Sequence, residues 1–181
     1  MRHCLKVFFC LLFAAQITAC AGLADMKKVD FVDTAAPDKA LVNIVRPSVF
    51  VGDGAKVEVW DGEQFVGTLA AGTLIQYQAT PGEHDFMVYS QGSWGIAKGE
   101  LLPGKTYYLK FNIGFGFITL GVAHKNDPRI EEWNRKLSPM AVNTQSSKPV
   151  PEKTIEASRK MLAKIQDGSV KYEVINESNA L

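Results

Sequence analysis

Beyond residue 20 the chain contains no cysteine, since Cys4, Cys10 and Cys20 account for all three. A disulfide framework, a cysteine nucleophile and a thiolate metal site are thereby excluded from everything that follows. An excess of one charge is also missing: 20 Lys and Arg stand against 19 Asp and Glu. Without a basic stripe there is no electrostatic footprint for phosphates, so no nucleic-acid partner is expected. Histidine is scarce, at three residues. His84 and His124 sit beside charged neighbours at strand ends without close ligand spacing, so they read as exposed turn residues and neither a metal nor a cofactor is implied. Long apolar runs are absent after residue 24. What remains, 181 residues that are 46% hydrophobic and 10% aromatic, suffices for one packed domain with appendages.

The first twenty residues form an address. Arg2 and Lys6 precede the apolar run Val7–Ala15, and small residues follow at Thr18, Ala19, Ala21 and Gly22. The run is far shorter than the ~20 residues of a membrane-spanning helix, and the layout is that of a secretory signal peptide. Its end, Ile17-Thr18-Ala19-Cys20, resembles the lipobox of bacterial lipoprotein precursors. The resemblance implies a diacylglyceryl group on the Cys20 thiol and removal of residues 1–19, with Cys20 as the new first residue. Cleavage after Ala21 or Ala24 and an uncleaved signal anchor rank lower. Two or three acyl chains, at about 0.8 kcal/mol per buried methylene, anchor a protein stably. The resemblance also implies, with Ala21 rather than the aspartate that retains such lipoproteins in the inner membrane, that the expected location is the outer membrane, lipid-anchored, on the periplasmic side. Loss of Arg2 and Lys6 leaves 18 basic against 19 acidic residues, a net −1.

The body reads as mainly β. Residues 20–39 are polar and rich in small residues, which predicts a lipidated tether with a short helix around Met26–Val32. Residues 40–125 alternate and are broken by turn signals every eight to twelve residues, predicting a small antiparallel β-sandwich or partly open barrel of seven to eight strands. Asp61-Gly62 marks the clearest hairpin, and Thr80-Pro81-Gly82-Glu83 is expected to join a second strand pair, Thr73–Ala79 with His84–Ser90. Two C-terminal α-helices follow in a helical extension, 126–181. The first is capped by Asp127 with Pro128 at its first position, and the second runs from Pro151 to about Asp167. Residues 138–150 read as a linker, and those after Gly168 as loose.

The runs Ala40–Pro47, Val57–Leu69, Thr80–His84 and Pro103–Tyr108 resemble a bacterial envelope domain of unknown function, distantly similar to PEGA-type β-sandwich domains and found largely in lipoproteins. The resemblance covers residues 38–125. It implies a sandwich and supplies no catalytic residue, because its motifs are turn chemistry.

Candidate chemistry is sparse. Gln91-Gly92-Ser93-Trp94-Gly95 lacks the first glycine of a nucleophile elbow and the strand–turn–helix around it. Gly114-Phe115-Gly116-Phe117 predicts bent strands or an exposed aromatic loop. Trp60 and Trp94 are the candidate ligand-facing aromatics, although cover by the C-terminal helices is the simpler expectation for Trp60 and Tyr108. The function expected is therefore a non-enzymatic scaffold or interaction module, with an envelope protein as partner. A glycan- or peptidoglycan-binding module ranks second and an envelope hydrolase third.

Overall fold

Apolar alternation sorts the chain into two stacked sheets. The computed structural model describes residues 23–49, 52–114 and 116–181, so Cys20 and the leader lie outside the described residues. In chain order the elements are β1 (Met26–Lys28), β2 (Ala40–Arg46), β3 (Val57–Asp61), β4 (Gln64–Leu69), β5 (Thr73–Ala79) and β6 (Gly82–Ser90). Then come β7 (Ser93–Leu101), β8 (Thr106–Ile113), β9 (Ile118–Val122), α1 (Arg129–Lys136), β10 (Ser138–Val142), α2 (Glu152–Gln166) and β11 (Glu173–Ile175). The first sheet has the order β1-β10-β5-β2-β8-β9 and the second β11-β7-β6-β3-β4.

The period of two decides what lies between the sheets. Val42 and Ile44 of β2, Val57 and Val59 of β3, Phe86 and Val88 of β6, and Tyr107, Leu109 and Phe111 of β8 interdigitate in the central core. The alternate residues point outward and are covered as well. Val45, Leu74 and Tyr108 lie under Ile130 and Trp133 of α1, with Phe31 beside them. Trp60, Met87 and Ile96 lie under Ile165 of α2. Burial from both sides explains why β2 reads as an almost continuous apolar run and is buried at every position. The result is a mainly β sandwich, not closed into a barrel, with one helix over each outer face.

Eight of the strands fall within residues 40–125, as the turn spacing predicts, but three expectations about pairing change. The sheets are mixed rather than antiparallel: β2 runs parallel to β8, β5 to β10, and β7 to β11. Strands β5 and β6 do not pair, because Thr80-Pro81 carries the chain from one sheet to the other. The span read as a linker begins with β10, which holds β1 antiparallel at the sheet edge.

Both presumed loose ends are docked. From Leu23 onward the expected tether lies on the domain, and Met26–Lys28 is a strand rather than part of a helix. Gln76 receives the Val32 N–H at 2.7 Å and returns a bond to the Val32 carbonyl at 2.7 Å, and Gln78 receives the Ala36 N–H. At the other terminus Ile175 and Ala180 enter the central core, and Leu181 exchanges backbone bonds with Thr106. Gly99 of β7 makes the β11 approach feasible: a Cβ there would sit 2.1 Å from the Ile175 carbonyl oxygen. Among the described residues, no helix is long and apolar enough to cross a membrane.

Candidate functional site

The two helices cover their faces to different extents. On the second sheet, α2 lays Ile155, Leu162 and Ile165 over Trp60, Met87 and Ile96. Trp60 is 0% exposed and edge-on to Phe65 at 5.2 Å. A fully buried indole offers no face to a sugar, so Trp60 is a core residue and not ligand-facing. Trp94 is half-buried and lies against the half-buried Tyr89 with ring centroids 4.8 Å apart, at the end of the β6–β7 hairpin. The hairpin turn is Gln91-Gly92, both at positive φ, with Ser93 directly opposite Ser90. Nothing there resembles a strand–turn–helix elbow.

On the first sheet α1 spans only Arg129–Lys136 and leaves a groove of about 450 Å³ between itself and residues 47–49. Pro47, Val49, Trp133 and Leu137 supply its apolar wall, and Lys110, Arg129 and Lys136 supply cations. Two of these cations are neutralised locally. Arg129 grips Asp127 through two nitrogens and lies 5.2 Å over the Trp133 ring. That grip holds the Asp127 carboxyl at about 2, with burial opposing it. Lys136 bonds Glu132 at 2.7 Å.

Lys110 differs. It projects outward from β8, and among the described residues no carboxylate approaches within the 4.0 Å of an ion pair. Burial pushes its ammonium pKa down, Arg129 adds to that, and Asp127 only partly opposes it. A partly desolvated ammonium beside an indole and an aliphatic wall can receive a carboxylate or phosphate that carries an apolar body.

A second polar cluster closes the space between the sheets. His84 Nδ1 lies 2.9 and 2.8 Å from the two Asp61 oxygens, and Nε2 lies 2.7 Å from the Thr80 carbonyl. An acceptor faces each ring nitrogen, an arrangement that the doubly protonated, cationic imidazole satisfies and that therefore favours the charged form. The Asp61 bond, opposed by burial, accordingly raises its pKa. With side chains 10% exposed, the pair is internal, and His84 is no exposed turn residue; its ring also stacks on Phe86. Burial, with the Asp61 charge second, pushes the neighbouring Tyr77 up to about 12. His124, by contrast, is exposed and caps the Asn126 N–H. No group of three metal-ligating side chains occurs among the described residues.

Arg46 is the polar residue that the sequence reading missed. It is 3% exposed, donates to the carbonyls of Gly52, Ala55 and Leu69 at 2.7–2.8 Å, and lies 5.2 Å over Phe111. Desolvation lowers its pKa while Asp53 opposes the shift. The signal was present, because Arg46 continues the inward series Ala40, Val42, Ile44. Lys110 was legible only as the outward alternate of Leu109 and Phe111; its lack of a partner depends on where α1 lands. No protein-family model, curated protein or solved structure matches the chain.

Proposed function

We propose that this chain is an envelope lipoprotein, anchored to the outer membrane by lipid on Cys20, whose sandwich is a non-catalytic interaction module. Its docking site is the Lys110 groove, and the partner is an acidic, partly apolar segment of another envelope protein. The observation that carries the module reading is the unpaired Lys110 ammonium against the Trp133 and Leu137 wall. The anchor reading rests on Ile17-Thr18-Ala19-Cys20 after a short apolar leader.

One experiment addresses both parts. The full-length precursor is expressed in a diderm bacterium, fed an alkyne fatty acid, and given a photocrosslinking residue at Ser48 on the groove rim. Lipid label in the wild type and its loss in Cys20→Ser are expected; retained label on that variant overturns the anchor. A discrete crosslink from position 48 that disappears in Lys110→Glu is expected, and an unchanged crosslink overturns the groove as docking site. The half-exposed Tyr89–Trp94 pair favours one second reading, sugar stacking on peptidoglycan. Binding to purified sacculi that is lost in Trp94→Ala would replace the protein-partner reading.

A further inference from the structure

The docked N-terminal segment leaves almost no leash between the lipid and the domain. Resting on the proposed anchor, only residues 21 and 22 separate Cys20 from Leu23, the first described residue, which is seated on the protein. Three residue steps span about 10 Å even when fully extended. The first sheet alone is six strands wide, and five spacings of about 4.8 Å place β9 roughly 24 Å from β1. A leash shorter than half the domain cannot let the domain turn freely above the bilayer.

We infer that the β1 edge of the sandwich, with the adjoining turn at residues 143–148, is a membrane-contact surface and that the protein stands on this edge. The leash end is fixed to that turn by several bonds. The Asp25 N–H donates to Ser147 Oγ, the Asp25 carboxylate accepts from Asn143 Nδ2 and Ser146, and the Asn143 N–H donates to the Asp25 carbonyl. Leu23 and Val150 both enter the apolar layer beneath α2, so this corner does not peel away without exposing that layer. Lys27, Lys28 and Lys148 are exposed along the same edge, while the carboxylate of Asp25 is already engaged. These ammonium groups face the phosphates of an anionic bilayer. The β9 edge, five strands away, points into the periplasm.

The test uses the mature, lipidated full chain in phosphatidylethanolamine/phosphatidylglycerol vesicles. Its lone cysteine is blocked by lipid, so Gln145→Cys and Lys125→Cys each take a single bimane label, near β1 and just past β9 respectively. Quenching by a headgroup nitroxide lipid is expected to be several-fold stronger at 145 than at 125. Ten Gly/Ser residues inserted between 22 and 23 are expected to abolish that contrast while flotation with the vesicles persists. Equal quenching at the two positions, or stronger quenching at 125, in protein that floats overturns the orientation and leaves the anchor standing. Failure of the wild type to carry lipid and float overturns the anchor, and the orientation falls with it.

Discussion

The two outer faces of the sandwich are built from the same materials and finished differently. Each sheet turns large apolar side chains outward, and each is covered by one helix carrying an aliphatic stripe. Over the second sheet, the fifteen residues of α2 bury Trp60, Met87 and Ile96 completely or nearly so. Over the first, the eight residues of α1 bury Ile130 and Trp133, seat Asn134 on the Tyr108 hydroxyl at 2.9 Å, and stop. Leu137 ends the helix and β10 begins at once, so the face beside Lys110 is left uncovered. A filled face is a stability device, whereas an underfilled one with an unpaired cation is where binding can be recruited.

Removing the elements that finish the second sheet tests this contrast most severely. Truncation after Gly168 deletes β11 and withdraws Ile175 and Ala180 from the central core. Single core truncations cost up to ~5 kcal/mol, and this loss should exceed that, consuming most of the ~5–15 kcal/mol typical of a domain. Urea unfolding followed by circular dichroism should show the cooperative transition lost or moved far toward zero denaturant. A midpoint near the wild type would return the tail to the loose segment that its sequence suggests.

Trp60→Ala and Trp133→Ala probe the two faces directly. The indoles are 0% and 4% exposed, so each substitution should lower stability by ~3–5 kcal/mol in chemical denaturation. The faces should separate in a second measurement, because Trp133→Ala also removes one wall of the groove and should abolish the position-48 crosslink, while Trp60→Ala leaves it in place. A crosslink lost equally in both variants would mean that the groove is not an independent site.

How much of this was legible in the sequence follows from the range of the forces involved. Alternation and Pro-Gly or Asp-Gly turns are local, so the strands between Ala40 and Val122 and the hairpin at Gly62 could be read directly. The partners of the polar spans 23–39 and 169–181 are distant in sequence, so periodicity could not reveal β1 or β11. Gln76 and Gln78 look like ordinary outward positions until the backbone of Val32 and Ala36 arrives to bond them. Trp60 and Tyr108 were placed on the outward faces by alternation alone, and the helices that cover them followed from the amphipathic stripes. The groove was illegible, because its existence depends on how far α1 extends across a sheet.

The space between the faces supplies a test with a defined sign. His84 is a cation held by Asp61 and Thr80, with its pKa raised above the unfolded value of about 6.5. A raised pKa means that the folded state binds the proton more tightly, so the stabilisation is complete below pH 6.5. It then declines as pH rises through the folded pKa. The urea midpoint of the wild type should therefore fall with rising pH above 6.5, and that slope should be absent in His84→Gln. A wild-type midpoint that rises over the same window would rule out the cationic assignment.

The smallest expected change on stability is the most informative for function. Lys110 is the one groove cation without a carboxylate at ion-pair distance among the described residues, and burial and Arg129 disfavour its charge more than Asp127 favours it. A lowered lysine pKa means that the folded state binds this proton less tightly than the unfolded chain does. Replacing the ammonium by a thioether of similar length therefore removes an unfavourable charge and keeps the packing of the stem. Lys110→Met should leave stability within about 0.5 kcal/mol of the wild type, the range of surface substitutions, or raise it slightly. The same variant should lose the position-48 crosslink, because the incoming anion no longer finds its counter-charge. A clear loss of stability would show that the ammonium is needed to hold α1 in place, and the first face would then be as purely structural as the second.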